Sequence, residues 1–189
     1  MKKIFLVLLL ITLFNCSNDS EAVSQIINEE KNEIENVEVY LINNLNDSRG
    51  FCIDIKGSKQ NANVNSGLQG HSCYSYQGQI SVDQGFDKSK INENQFYITF
   101  FKVCMEAQNI QESSSLLLNQ CNQSEKQKFV LKANGNIVVE SDPNLCLTVS
   151  TNFKEGGGGN PVHLIRDLTL QNCNENNSDF QKWGTRKIN

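Results

Sequence analysis

From Val37 onward the chain reads as short apolar runs cut by turn residues. Val37-Glu38-Val39-Tyr40-Leu41-Ile42 alternates apolar and polar positions and then meets Asn43-Asn44, the pattern of a half-buried strand running into a turn. Phe51 to Ile55 (FCIDI) predicts a second short strand, stopped by Lys56-Gly57. Gln95 to Val103 (QFYITFFKV), rich in β-branched and aromatic residues, predicts a third. Leu131 to Val139 is the strongest hairpin signal, two apolar runs around Asn134-Gly135. Gly156 to Gly159 has no side chains to pack and predicts a loop. No window sustains a helical period, so the expected class is all-β.

A longer pattern overlies the strands. Cys52-Ile53-Asp54-Ile55 is followed by Cys73 and then Gln84-Gly85-Phe86. Cys104-Met105-Glu106-Ala107 leads to Cys121 and Gln127-Lys128-Phe129. Cys146-Leu147-Thr148-Val149 leads to Cys173 and Gln181-Lys182-Trp183. Self-similarity at a period of roughly 40–55 residues marks a unit that cannot bury its own apolar face and must associate with its copies. Three four-stranded copies can close into a barrel capped by hairpins, leaving no open edge. Among the pairings six cysteines allow, the repeat favours one local bridge per unit: Cys52–Cys73, Cys104–Cys121 and Cys146–Cys173. Such bridges place the chain in an oxidising compartment.

This threefold arrangement resembles the β-trefoil of ricin-type (R-type) lectins. The resemblance runs from about Val39 to Thr185, within an expected domain at 37–189 and repeats at about 37–89, 90–134 and 135–187. Two departures stand out: Phe replaces Trp in the first two triplets, and an insertion separates Cys73 from Gln84. The resemblance implies a non-catalytic domain that binds a glycan, for instance a galactose-type sugar. It also implies that Phe86, Phe129 and Trp183 fill the core while each triplet Gln braces its unit.

In such lectins the acid after Cys-hydrophobic accepts from two sugar hydroxyls. A ring two residues before the second Cys stacks on the sugar, and a polar residue before the triplet Gln completes the grip. A carboxylate suits the first role because it accepts two charge-assisted bonds at once. In the first repeat the roles fall on Asp54, His71 and Asp83, beside Gln84, and Tyr74 and Tyr76 of the insertion either add stacking surface or simply pack there. In the second they fall on Glu106, Asn119 and Lys126, with no ring; in the third on Thr148, Gln171 and Phe180, with no carboxylate. Binding is therefore expected mainly in the first repeat. Cys52-Ile53-Asp54-Ile55-Lys56-Gly57 with the later Asp83-Gln84 also resembles a calcium-dependent branch of these lectins. That branch implies Ca²⁺ held by Asp54, Asp83 and the carbonyls of Ile55 and Gly57, an all-oxygen set of the kind Ca²⁺ takes.

Composition narrows the alternatives. A net charge of -4 with scattered basic residues argues against nucleic acid, which needs a clustered basic surface. Only 2 His and no repeated His/Asp/Glu cluster argue against a transition-metal hydrolase. If the cysteines pair by repeat, no thiol after the leader is left for a Cys–His nucleophile. Met1-Lys2-Lys3 and the apolar run to Phe14 predict a signal peptide over 1–15, too short to span a bilayer. Leu13-Phe14-Asn15-Cys16 resembles a bacterial lipobox, although Phe14 and Asn15 stand where small residues are preferred. It implies lipid on Cys16 and a place in the cell envelope as an outer-membrane lipoprotein, the alternative being an ordinary secretory leader and an extracellular protein. Residues 16–36 then form an acidic tether, with a short helix expected around Ile26 to Ile34. A competing class is a non-catalytic adhesion or toxin-delivery subunit, or a protease inhibitor, binding a protein partner.

Overall fold

The computed structural model describes residues 34–188. The leader, Cys16, the tether and nearly all of the expected helix around Ile26 to Ile34 lie outside the described residues. Within them, strands β1 (Asn36–Leu41), β2 (Phe51–Ile55), β3 (Leu68–Ser72) and β4 (Phe86–Asp87) make the first repeat. The second contains β5 (Tyr97–Ile98), β6 (Val103–Ala107), β7 (Leu116–Asn119) and β8 (Phe129–Leu131). The third contains β9 (Ile137–Val139), β10 (Asp142–Val149), a short β11 (Lys154–Glu155), β12 (Leu164–Asn172) and β13 (Trp183–Arg186).

Outer strands of the three units close one ring. Within the units, β1 meets β4 at Val37↔Phe86, and equivalent bridges link Gln95 to Lys128 and Asn136 to Lys182. Between units, β4 pairs β5, β8 pairs β9 and β13 pairs β1. The middle strands form three hairpins, β2–β3, β6–β7 and β10–β12, that cap the barrel. This is the β-trefoil expected from the repeats, and ring closure leaves the short barrel strands without open edges. Phe86, Phe129 and Trp183 are buried at its centre. Phe96 meets both phenylalanines edge-to-face, at centroid distances of 6.1 and 6.2 Å, and the Trp183 indole donates to Leu147 O at 2.9 Å.

The disulfides are Cys52–Cys73, Cys104–Cys121 and Cys146–Cys173, closing separations of 21, 17 and 27 residues across the base of each hairpin. Beside each bridge the triplet Gln makes the same three contacts. Its amide nitrogen donates to the residue two beyond the first Cys: Asp54 (3.0 Å), Glu106 (2.7 Å) and Thr148 (3.0 Å). The same nitrogen donates to the carbonyl before the second Cys, at Ser72, Gln120 and Asn172. Its oxygen accepts the backbone N–H after the second Cys, from Tyr74, Asn122 and Asn174. A buried carboxamide is thus satisfied at both ends, as burial demands.

Two local expectations differ from the fold. Gln95 to Val103 is not one strand: β5 ends at Ile98, and a turn carries Lys102 at φ 57 before β6 begins. Here the chain passes from barrel to cap, so Phe100 is turned out, 53% exposed, although its residue type favours a strand. Among the described residues one short α-helix, α1 (Lys88–Asn92), forms where none was expected; Asp87 caps it by accepting from Ser89 N and Lys90 N. Five residues leave no helical period to read. The Asn134-Gly135 hairpin forms as expected between β8 and β9, with Gly135 at φ 88. Among the described residues no helix is long and apolar enough to cross a membrane.

Candidate functional site

The β2–β3 hairpin sets Asp54 opposite Gln69 and Cys52 opposite His71. The triplet and its insertion bring Asp83, Gln84, Tyr74 and Tyr76 to the same end, so the first-repeat residues singled out in the sequence do converge. Their exposure is not that of an open tripod. Asp54 is 1% exposed, and its two oxygens accept from the amides of Gln69 (2.8 Å) and Gln84 (3.0 Å). Asp83 is wholly buried; its oxygens accept from the Ser81 hydroxyl and the Lys59 backbone N–H. Burial, and next the Asp83 charge, push the Asp54 carboxyl well above its ordinary range, against the pull of the two glutamines. The turn at Lys59–Asn61 is linked to Asp83 through that N–H.

Above the acids lies an aromatic cluster. His71 stacks on Tyr74, centroids 5.1 Å apart at 24°, and both rings lie 5.0 Å from His163. His71 Nδ1 is 2.8 Å from Ser72 O, which can only accept, so Nδ1 carries the proton and Nε2 is left as an acceptor. The Tyr76 hydroxyl lies 3.0 Å from His163 Nε2 and accepts from Gln77 Nε2 at 2.9 Å. Tyr74 is buried and packs, its hydroxyl pushed up to about 12 chiefly by burial, whereas Tyr76 is 49% exposed. Burial first, then neighbouring charges, holds His163 below its usual value, and burial does the same to His71. Both imidazoles are therefore neutral near pH 7. The cluster lines a pocket of about 410 Å³, closed on its far side by Gly157–Gly159 of the third repeat.

His163 had no place in the sequence reading, although it is one of only 2 His in the chain and follows the glycine run. It arrives through a contact that breaks the threefold plan. Strand β12 pairs with β3, setting Ile165 opposite His71 and Arg166 opposite Gly70. A Cβ at Gly70 would lie 2.7 Å from Val149 Cγ1, so a larger residue would force these units apart. Arg49 donates to Pro161 O (2.8 Å) and Val162 O (2.7 Å) while paired with Asp47, and Leu164 N donates to Ser72 Oγ (2.8 Å). Ser72 in turn donates to Asp47.

In the calcium set expected from the sequence, the carboxylates are already engaged by protein donors. All four carboxylate oxygens of Asp54 and Asp83 face protein donors, and Ile55 lies in the β2–β3 ladder opposite Leu68. The Gly57 turn is filled, because a Cβ there would lie 2.6 Å from Ala62 Cα. Among the described residues the one group of three or more acidic, His or Cys ligands is Glu38 with Cys52 and Cys73, and those sulfurs are bonded to each other.

The other repeats present different surfaces. Glu106 accepts from Asn119 Nδ2 (2.9 Å) and Gln127, while Lys126 turns away to Gln108 O (2.7 Å). In the third repeat Thr148, Gln171 and half-buried Phe180 all line an open cleft of about 700 Å³, together with Glu112 and Asp167. All six cysteines of the described residues are in disulfides, so no thiol there can serve as a nucleophile.

The ricin-type beta-trefoil lectin domain matches residues 37–183. The chain belongs to that family. No curated protein matches it. Among solved structures, this ricin-type domain is similar to the mdaA-1 domain (TM-score 0.59, 15% identity, 81% of this chain and 90% of that one). It is similar to the earthworm R-type lectin C-half in complex with GalNAc (TM-score 0.53, 15% identity, covering 81% and 98%). It is also similar to the Vibrio vulnificus hemolysin/cytolysin β-trefoil lectin with N-acetyl-D-lactosamine bound (TM-score 0.52, 16% identity, covering 82% and 96%). Identities this low carry the fold alone.

Proposed function

We propose that this ricin-type domain is a non-catalytic carbohydrate-binding module, and that its sugar sits in the first-repeat pocket. The observation that carries the reading is the 410 Å³ pocket at His71, the position where the family places its stacking ring. Tyr76 is the exposed ring there, and His71 Nε2, the Tyr76 hydroxyl and Gln77 supply polar contacts for hydroxyls. Asp54 and Asp83 act from below: they fix Gln84, Gln69 and the Lys59 turn rather than touching the sugar. A galactose-type ligand is in keeping with the GalNAc and N-acetyllactosamine held by the earthworm and Vibrio proteins. No step is assigned to Ca²⁺. With the leader and Cys16 read as a lipoprotein signal, the domain is an envelope-anchored or secreted lectin, its copies supplying avidity on the membrane.

One observation favours a second location. The third-repeat cleft is wider, and it gathers all three of that repeat's role positions around Phe180. A glycan array with the full-length protein, followed by Tyr76→Ala and Phe180→Ala, separates the two. Loss of binding in Tyr76→Ala alone supports the first-repeat site; loss in Phe180→Ala alone moves the site to the third repeat. Absence of binding to every glycan, with a protein partner retained in excess sugar, would overturn the lectin reading for the adhesion, toxin-delivery or inhibitor class. For the anchor, a Cys16→Ser protein that still partitions with membranes defeats lipidation.

A further inference from the structure

We propose that the saccharide taken by the first-repeat pocket is an acidic one, carrying a carboxylate or a sulfate group. The proposal rests on the carbohydrate-binding reading above. The pocket lining contains no Asp or Glu; its charged side chain is Lys59, and its other titratable groups are His71, His163, Tyr74 and Tyr76. That sign runs against the molecule, whose net charge is -4. The third-repeat cleft is the opposite case, with Glu112 and Asp167 in its wall and no Lys, Arg or His.

Lys59 is placed to receive an anion. Its ammonium lies 5.5 Å from the Tyr74 ring centroid and 3.5 Å from Gln77 Oε1, and it makes no ion pair among the described residues. Acids do lie beneath it, but both are turned inward. Asp83 spends its oxygens on Ser81 and the Lys59 backbone, and Asp54 on two glutamines. Arg49 is committed to Asp47 and two carbonyls, so it contributes field rather than a free donor. The cluster is also closed to a cationic ligand. Lys59 already lies over Tyr74, and Arg49 lies 5.6 Å from the Tyr76 centroid, so each tyrosine already faces a cation of the protein itself. An anionic substituent instead meets an unpaired, half-buried ammonium at the edge of a pocket, where a charge pair is screened less than on open surface.

The test uses glycans that share one core and differ in a single group. Galactose, galacturonic acid and galactose 6-sulfate are presented on an array to the full-length protein at low and high salt. The acidic members are expected to bind about ten-fold more tightly than galactose, the effect of one charge-assisted contact, with the margin shrinking at high salt. The uronate and sulfate arms show which anion is preferred. Lys59→Gln removes the cation. Gly158→Asp adds a carboxylate at the mouth, where a Cβ meets nothing within 4 Å and the fold is left alone. Each variant should bring the acidic members to parity with galactose, read as the ratio of acidic to neutral binding within the same protein. Equal binding of neutral and acidic members by the parent overturns the inference and leaves the lectin reading standing. So does an acidic preference that survives Gly158→Asp. Absence of binding to every glycan sinks the lectin reading and the inference with it.

Discussion

Asp54 is the residue that a family reading would mutate first, and its surroundings make the outcome specific. Asp54→Ala removes the acceptor of two buried amides, Gln69 Nε2 and Gln84 Nε2. Each buried donor left unpaired costs about 1–3 kcal/mol, so the alanine variant should lose about 2–6 kcal/mol. Asp54→Asn is a different perturbation. The Gln84 oxygen is committed to Tyr74 N at 3.0 Å, so Gln84 cannot flip and must keep donating to residue 54. The new amide therefore keeps its oxygen toward Gln84 and its nitrogen toward Gln69, which turns its own carboxamide to accept. Both hydrogen bonds survive, and a buried charge has gone.

The pH dependence follows from the direction of the shift. Asp54 ionises less readily in the fold than at its ordinary 3.8, so the native state holds the proton more tightly than the unfolded chain. Its contribution to stability is fullest below the ordinary value and is lost as pH rises through the raised, folded value. Asp54→Asn abolishes that loss. Urea midpoints of parent, alanine and asparagine proteins, compared from about pH 4 to about pH 8, should show the asparagine variant gaining on the parent as pH rises. An asparagine variant as unstable as the alanine one, or a difference flat with pH, would refute the buried-acid reasoning.

Three further outcomes are expected. Burial works to raise Asp47, yet hydrogen bonds from Arg49 and Ser72 outweigh it and hold the carboxyl below its ordinary 3.8. Its stabilisation is therefore present above that value and lost as pH falls through the lower folded value, and Asp47→Asn should blunt acid unfolding below about pH 4 and disturb the His163 NMR signals. Replacing each triplet Gln by Ala should cost most at Gln84, whose carboxylate partner is buried, and less at Gln127, whose partner Glu106 reaches solvent, as ranked by urea midpoints. Added Ca²⁺ or a chelator should leave the melting temperature and glycan binding unchanged; a ligand-linked rise in melting temperature with Ca²⁺ would reinstate a metal site.

The threefold plan was legible because its signals are local. A Cys, a hydrophobic pair and a Gln-x-aromatic triplet each occupy a buried position that tolerates few residue types, and they recur in phase. The break after Ile98 was not legible, since Thr99 to Phe101 have strand-forming side chains and only the passage from barrel to cap turns them. The convergence of the candidate residues was legible, and their exposure was not. Asp54, His71 and Asp83 meet as the repeat register requires, but whether the Lys59 turn folds over them depends on a hydrogen bond to Asp83 that no spacing encodes. His163 was hidden for a further reason. Its place depends on β12 pairing with β3, a contact between the first and third repeats that a pattern of equivalent units does not contain.

The three Gln braces bear on what an acid in a trefoil repeat signifies. In every repeat the amide nitrogen needs an acceptor two residues beyond the first Cys, and a buried carboxylate, a half-exposed carboxylate and a threonine hydroxyl all serve. The scaffold therefore asks for an oxygen there whether or not a sugar is bound. An aspartate at that position is accounted for by bracing alone, and its presence in the first repeat does not by itself single that repeat out. What distinguishes the repeats is what the insertions lay over the brace. Tyr74 to Gln77, the Lys59 turn and the glycine run before His163 line a pocket in the first repeat whose one charged side chain is Lys59. Over Thr148 nothing comparable is laid, and the cleft stays open with acidic walls. The repeats thus differ chiefly in their loops, where sequence can change without disturbing the core.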